Sequence, residues 1–100
     1  MEIKRTPEFR VWIDGLRDTA GRARVQARIE RLANGNPGDH RNLQDGVSEL
    51  RVDAGPGYRV YYMRRGNELI LLLVGGDKSS QQADIRKARG IARNLKGDFP

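Results

Sequence analysis

Residues 69–74 read Leu-Ile-Leu-Leu-Leu-Val, six aliphatic side chains in succession with nothing polar between them. Successive side chains of a strand point to opposite faces, so an unbroken apolar run needs cover on both. Such a strand belongs in the middle of a sheet, with a neighbour on each side. The sequence just upstream supplies one. Leu50, Val52 and Ala54 alternate with polar residues across Ser48 to Ala54, and Gly55-Pro56-Gly57 turns the chain. Tyr58, Val60 and Tyr62 then carry the same rhythm through Tyr58 to Arg65. Gly66-Asn67 suits a two-residue hairpin turn with glycine first. A short strand over Glu2 to Thr6 is the candidate for the other neighbour.

If the first hairpin is symmetric about Pro56, Val52 faces Val60, Asp53 faces Arg59 and Arg51 faces Tyr61. The even positions then share an apolar face. The odd ones, Glu49, Arg51, Asp53, Arg59, Tyr61 and Met63, share a polar face holding two arginines. The same counting puts Ile70, Leu72 and Val74 on the Arg59 face, to be covered by the last helix or by another protein. Gly75-Gly76-Asp77-Lys78 is expected to end the strand.

Helical spacing governs the remainder. Thr6-Pro7 reads as an N-cap followed by proline at the first helical position, and Phe9, Trp12, Ile13 and Leu16 form an apolar stripe. That stripe makes Trp12 a core residue rather than a base-stacking platform. After a break near Asp18 to Gly21, Val25, Ile29 and Leu32 mark a second helix, stopped by Asn34-Gly35-Asn36-Pro37-Gly38. Arg24, Arg28 and Arg31 share another of its faces, either as a solvated basic surface or as phosphate contacts. Residues 36–46 read as a polar loop, with His40 a loop residue rather than a catalyst. Ser79 and Gln82 read as a capping box opening a final helix, whose stripe is Ile85, Ala88, Ala92 and Leu95 and whose end is near Gly97.

One hundred residues fit one domain, spanning 1–100. The formal net charge of +6 favours an acidic partner, nucleic acid or protein. It is unevenly spread: residues 1–35 carry eight basic and five acidic side chains (+3), 36–77 five and six (−1), and 78–100 six and two (+4). With no cysteine, disulfides, thiolate metal sites and a cysteine nucleophile are excluded. A single histidine excludes a histidine-pair metal site and a two-histidine nuclease, and no metal or cofactor is expected. No signal peptide and no run of the ~20 apolar residues that span a membrane is visible, so a cytoplasmic protein without a membrane partner is expected.

Two runs go beyond periodicity. They are Glu49-Leu50-Arg51-Val52-Asp53-Ala54-Gly55-Pro56-Gly57-Tyr58-Arg59-Val60-Tyr61-Tyr62, and Leu72-Leu73-Val74-Gly75-Gly76-Asp77-Lys78-Ser79-Ser80-Gln81 followed by Asp84-Ile85. Together they resemble the HigB-like addiction-module killer proteins, a branch of the RelE/ParE toxin superfamily, over nearly the whole chain. The resemblance implies an α+β, two-layer fold in the order β-α-α-β-β-β-α, with helices packed on a mostly antiparallel sheet. It implies the toxin of a type II toxin–antitoxin module, held inactive by a cognate helix-turn-helix antitoxin. Many relatives are ribosome-dependent mRNA endonucleases, which makes mRNA and the ribosome the expected partners. The ParE branch poisons DNA gyrase without RNA cleavage, and that alternative stays open here.

The resemblance carries over residue by residue. Arg59 matches the arginine after Gly-Tyr, Arg51 falls near the basic position of the preceding strand, and Lys78 falls in the basic loop after the last strand. The chain lacks the C-terminal tyrosine of RelE-type enzymes and the histidines of some HigB relatives. Cleaving RNA with its own 2′-hydroxyl needs a proton acceptor, a proton donor and stabilisation of a dianionic phosphorane. Arginine does not deprotonate in proteins but grips phosphate with a bidentate fork, the role expected of Arg59 and Arg51. Lysine can transfer a proton when neighbouring cations tune it, the role expected of Lys78. Tyr61, Arg24 and Arg28 are the expected substrate-binding residues. Glu49 and Asp53 lie on the site face as carboxylates, Asp53 reading first as an ion-pair partner of Arg59.

Overall fold

The computed structural model describes residues 1–95, and in it the aliphatic run lies in β5, Leu69–Asp77. β5 is flanked by β1 (Glu2–Arg5), which runs parallel to it, and by β4 (Tyr58–Arg65), which runs antiparallel. β3 (Val47–Val52) and β2 (His40–Asn42) complete a five-stranded sheet in the order β1-β5-β4-β3-β2. α1 (Pro7–Asp14) and α2 (Thr19–Ala33) cover one face. α3 (Gln81–Leu95) covers the other, entered through a single 3-10 turn at Lys78–Ser80. The result is the expected α+β class and mostly antiparallel sheet, with one strand more than expected and helices on both faces. The expected helix end near Gly97 lies outside the described residues. Among the described residues, no helix is long and apolar enough to cross a membrane.

Each helix start is bound into the sheet. The Thr6 hydroxyl accepts from the Phe9 amide at 3.0 Å and donates to the Leu73 carbonyl at 2.6 Å, capping α1 and fixing it to β5. Asp18 caps α2 by accepting from the Gly21 amide at 3.0 Å, and also accepts from the Tyr58 hydroxyl at 2.7 Å. Gly21 therefore lies inside α2 rather than in the break before it. Trp12 packs as core: its ring lies 5.7 Å from Phe9 and 6.1 Å from Tyr58, centroid to centroid.

Register separates expectation from structure at both hairpins. Arg51 pairs with Arg59, not with Tyr61, and Val52 pairs with Tyr58. Asp53 leaves the ladder altogether and makes no ion pair with Arg59. The turn is a five-residue loop over 53–57, centred on Gly55, in which Gly55 (φ 51°) and Gly57 (φ 83°) take the left-handed backbone that glycine tolerates. Moving the centre by one residue shifts each partner by two, so the faces survive although the pairs change. The second turn does change faces. Arg65 pairs with Leu69, so Gly66, Asn67 and Glu68 form a three-residue loop. That extra residue sends Ile70 and Leu72 to the α1–α2 face and Leu71 and Leu73 to the α3 face. Val74 does lie on the Arg59 side, because a bulge between Tyr61 and Tyr62 places both Leu73 and Val74 there.

Three further corrections concern the end of β5, the cap that follows it and the loop before β3. Gly75 and Gly76 do not break β5, since they pair with Val60 and Arg59. They are glycines because both faces are occupied. A Cβ on Gly75 would stand 2.0 Å from the Trp12 ring, and one on Gly76 1.9 Å from the Asp84 carboxylate. The cap after β5 is Asp77, whose carboxylate accepts from the Ser79 amide at 2.8 Å, so Ser79 does not open the helix. Part of the presumed loop over 36–46 is the edge strand β2. All three of its residues are exposed, which left no apolar rhythm to read.

Replacing Gly75 with alanine is expected to cost roughly 1–3 kcal/mol through forced displacement of Trp12. Denaturant unfolding followed by the fluorescence of this single tryptophan measures it, and an unchanged midpoint contradicts the packing described.

Candidate functional site

The α3 side of the sheet carries two polar rows at the β3 end. In the first, Arg41, Glu49, Tyr61 and Val74 lie opposite one another across β2, β3, β4 and β5. In the second, Arg51, Arg59 and Gly76 do so. Two arginines directly opposite on neighbouring strands repel, so the second row lowers stability unless an anion relieves it.

Next to that row is an open cleft of about 290 Å³, lined by Asp39, Arg51, Val52, Asp53, Gly57, Arg59 and Lys78. Gly57 sits between two basic residues: a Cβ there would lie 3.4 Å from Arg59 Nη1 and 3.7 Å from the Lys78 Cβ. Arg59 donates from Nη1 to the Tyr58 carbonyl at 3.2 Å, and its Nε is buried with no hydrogen-bond partner. Among the described residues, no carboxylate lies within 4.0 Å of Arg59 or Lys78. Arg51 is held on both sides, by Asp39 at 3.6 Å and Glu49 at 3.3 Å. The cleft thus gathers three cations, of which two have no acidic partner among the described residues.

Glu49 anchors the floor. Its side chain is wholly buried and accepts four hydrogen bonds, from Arg41 Nε (2.8 Å), Arg51 Nε (3.3 Å), Tyr61 Oη (3.0 Å) and Gln81 Nε2 (2.9 Å). Burial by itself would raise the Glu49 carboxyl, but the bonds from Arg41, Gln81 and Tyr61 outweigh it and hold it below the ordinary carboxylate range. A carboxylate has about four lone-pair positions, and here all are taken. Glu49 therefore has no capacity left to act as a general base.

The structure brings Arg51, Arg59 and Lys78 together and sets the other expected residues apart. Tyr61 is 0% exposed, so it presents no ring to a base. Burial and then the Glu49 charge push its phenol well up, which keeps it a donor to Glu49. Arg28 donates to the carbonyls of Arg51, Pro37 (2.8 Å) and Asp39 (3.3 Å), and so pins the 37–39 loop against β3 instead of lining the cleft. Arg24 is exposed, donates to the Asp53 carbonyl at 3.1 Å, and also lies outside the cleft lining. His40 lies on β2, with Nδ1 sharing a hydrogen bond with the Gly38 carbonyl at 2.8 Å. Among the described residues, no group of three or more His, Cys, Asp or Glu side chains is placed to hold a metal ion.

Arg41 and Gln81 are the site-face residues that sequence reading passed over. A partial signal for Arg41 existed in Asp45-Gly46, a hairpin-turn dipeptide, but a two-residue turn there would set Arg41 against Leu50; one extra residue beside the turn sets it against Glu49. Gln81 had none, because its partner lies 32 residues away and is reached only once α3 has packed.

Comparison with known proteins places most of the chain in one family. The family described as "Phage derived protein Gp49-like (DUF891)" matches residues 11–96, which include every residue lining the cleft. An uncharacterised protein of Haemophilus influenzae is 44% identical over 95 residues, covering 95% of this chain and 96% of its own length.

The depressed carboxyls predict an acid-sensitive fold. Glu49 and Asp18 are held below their ordinary values of 4.5 and 3.8, so the folded chain binds their protons less readily than the unfolded one. Their contribution to stability is complete above those ordinary values and is lost as pH falls through the lower folded ones. Denaturation midpoints measured from neutral pH into acid should fall, and should fall less steeply in Glu49→Gln.

Proposed function

Because the chain belongs to the phage-derived Gp49-like family, a RelE-like toxin family of toxin–antitoxin modules, we propose that it stops translation by cleaving mRNA. The family implies an antitoxin partner. In this reading the protein is a HigB-like cytoplasmic toxin, its antitoxin is of the helix-turn-helix kind, and it works on mRNA held by the ribosome. One observation supports this most strongly: the opposed pair Arg51 and Arg59 shares one cleft with Lys78, and Arg59 has no acidic partner among the described residues. Such a cleft fits a phosphodiester better than it fits any neutral ligand.

The chemistry divides as follows. The substrate's O2′ attacks its own phosphorus, the bond from phosphorus to O5′ breaks, and a proton leaving O2′ is matched by one delivered to O5′. Arg59 lies where charge on the non-bridging oxygens grows, and its fork stabilises that charge without giving up a proton. Arg51, fixed by Glu49 and Asp39, orients the phosphate. Lys78, exposed at the cleft rim, transfers the proton or holds the phosphate. With Glu49 saturated and Tyr61 buried, acid–base work among the described cleft residues falls to Lys78 and the carboxylates of Asp39 and Asp53, a small set that fits a reaction in which the ribosome presents the mRNA.

Arg59→Ala is expected to lower cleavage about 100- to 1000-fold, the usual effect of losing one transition-state donor. It should abolish growth arrest while leaving the fold and antitoxin binding intact, and a folded Arg59→Ala protein that still arrests growth refutes the assignment. Mapping RNA 5′ ends in cells after induction tests the reaction itself. Cuts in frame with translated codons are expected; intact transcripts accompanied by double-strand DNA breaks point to a gyrase inhibitor instead.

A further inference from the structure

Arg51 has a twin. The Nε of Arg41 on β2 and the Nε of Arg51 on β3 donate to the same oxygen of Glu49, Oε1, at 2.8 and 3.3 Å. The second oxygen, Oε2, is occupied by Tyr61 Oη and Gln81 Nε2. Each guanidinium is thus anchored to Glu49 by the one nitrogen that is not at the tip of its fork, and Arg51 Nη1 also lies 3.6 Å from the exposed carboxylate of Asp39. The carboxylate itself is 0% exposed, whereas the two arginine side chains are 43% and 36% exposed. β2 is the edge of the sheet, so among the described residues no further strand stands beside Arg41. Cationic heads therefore run from that edge through Arg51 and Arg59 to Lys78.

Resting on the reading of the cleft as an RNA site, we infer that Glu49 is a positioning residue that presents Arg41 and Arg51 side by side to successive phosphates of one RNA strand. Arg41 is then a binding residue additional to those of the cleft. A long cationic side chain free on the surface loses rotamer entropy whenever it grips a phosphate; one already held at Nε loses less. The arrangement also explains why a negative charge is retained next to a site for anions. Its position beneath the arginines fixes where they point, and four donors keep it satisfied there.

The test is equilibrium binding of a labelled single-stranded 2′-O-methyl RNA, which cannot supply the attacking hydroxyl, to the full chain across a salt series. Arg41→Gln and Arg51→Gln should each weaken binding and each reduce the salt slope by about 0.7. Glu49→Gln makes the protein more positive, so bare Coulomb attraction demands tighter binding. Positioning demands the opposite, a loss of at least about threefold that vanishes when both Arg41 and Arg51 are already glutamine. Tighter binding by Glu49→Gln, or a loss that persists in the variant lacking both arginines, overturns the inference. A reading on the unaltered protein guards against a variant that fails to fold. The Nε–H protons of Arg41 and Arg51 should exchange with water more slowly than that of exposed Arg10 in nitrogen-15 spectra, and equal exchange overturns the inference as well. If the unaltered protein neither binds nor cleaves RNA, the functional reading falls and takes this one with it. If it cleaves RNA but the variants behave additively, only the positioning role falls.

Discussion

A carboxylate with no contact to solvent, Glu49, ties together β2 through Arg41, β3 through Arg51, β4 through Tyr61 and α3 through Gln81. Burying an ionised group costs several kcal/mol unless its lone pairs are filled, and removing one donor from such a cluster leaves charge uncompensated. The cluster therefore forms as a unit. Its formation fixes the depth at which α3 begins, the protonated state of the Tyr61 phenol and the direction of two guanidinium groups. The candidate site and this side of the fold rest on the same few hydrogen bonds.

The two faces of the sheet divide the work. The α1–α2 face is apolar, with Phe9, Val25, Leu32, Leu50, Val60 and Leu72 excluded from solvent, and the sheet draws its packing strength there. The α3 face has a smaller apolar patch around Leu71, Leu73, Ala88 and Ala92, and at its β3 end it turns polar. Small side chains at 88 and 92 let α3 lie close. Asp45, in the left-handed turn between β2 and β3, clasps Arg89 and Arg93 at 2.8 and 3.2 Å and holds the helix from its far side. The cationic side chains around the cleft and along the Asp45 clasp differ in their partners. Arg41, Arg51, Arg89 and Arg93 have acidic partners, while Arg59 and Lys78 have none among the described residues and line the cleft.

How much of this was legible depended on how local the cause was. Thr6-Pro7 named the start of α1 correctly because an N-cap acts within three residues. The stripe through Trp12 and the two-sided burial of 69–74 were legible because side-chain periodicity is a property of the chain itself. Arg51 and Arg59 were placed on one face correctly although their partners were misassigned, since an error of two residues preserves parity. Ile70 and Leu72 were placed on the wrong face because one extra loop residue, Glu68, reverses it. β2 escaped because an edge strand with no buried side chain has no apolar pattern, and the role of Arg28 escaped because three of its acceptors are backbone carbonyls.

The sequence by itself determined the order of every element but β2, the central place of β5, which residues of β3 and β4 share a face, and that two arginines lie on the polar one. These follow from side-chain size, polarity and the periods of strand and helix, all carried by neighbouring residues. Only the tertiary structure decided that Arg51 stands opposite Arg59, that Lys78 joins them at Gly57, and that Glu49 is a saturated anchor rather than a base. Those outcomes depend on loop conformation and on packing between residues tens of positions apart. A hydrogen bond such as that from Gln81 to Glu49 exists only after helix and sheet have closed on each other, and no local pattern encodes it.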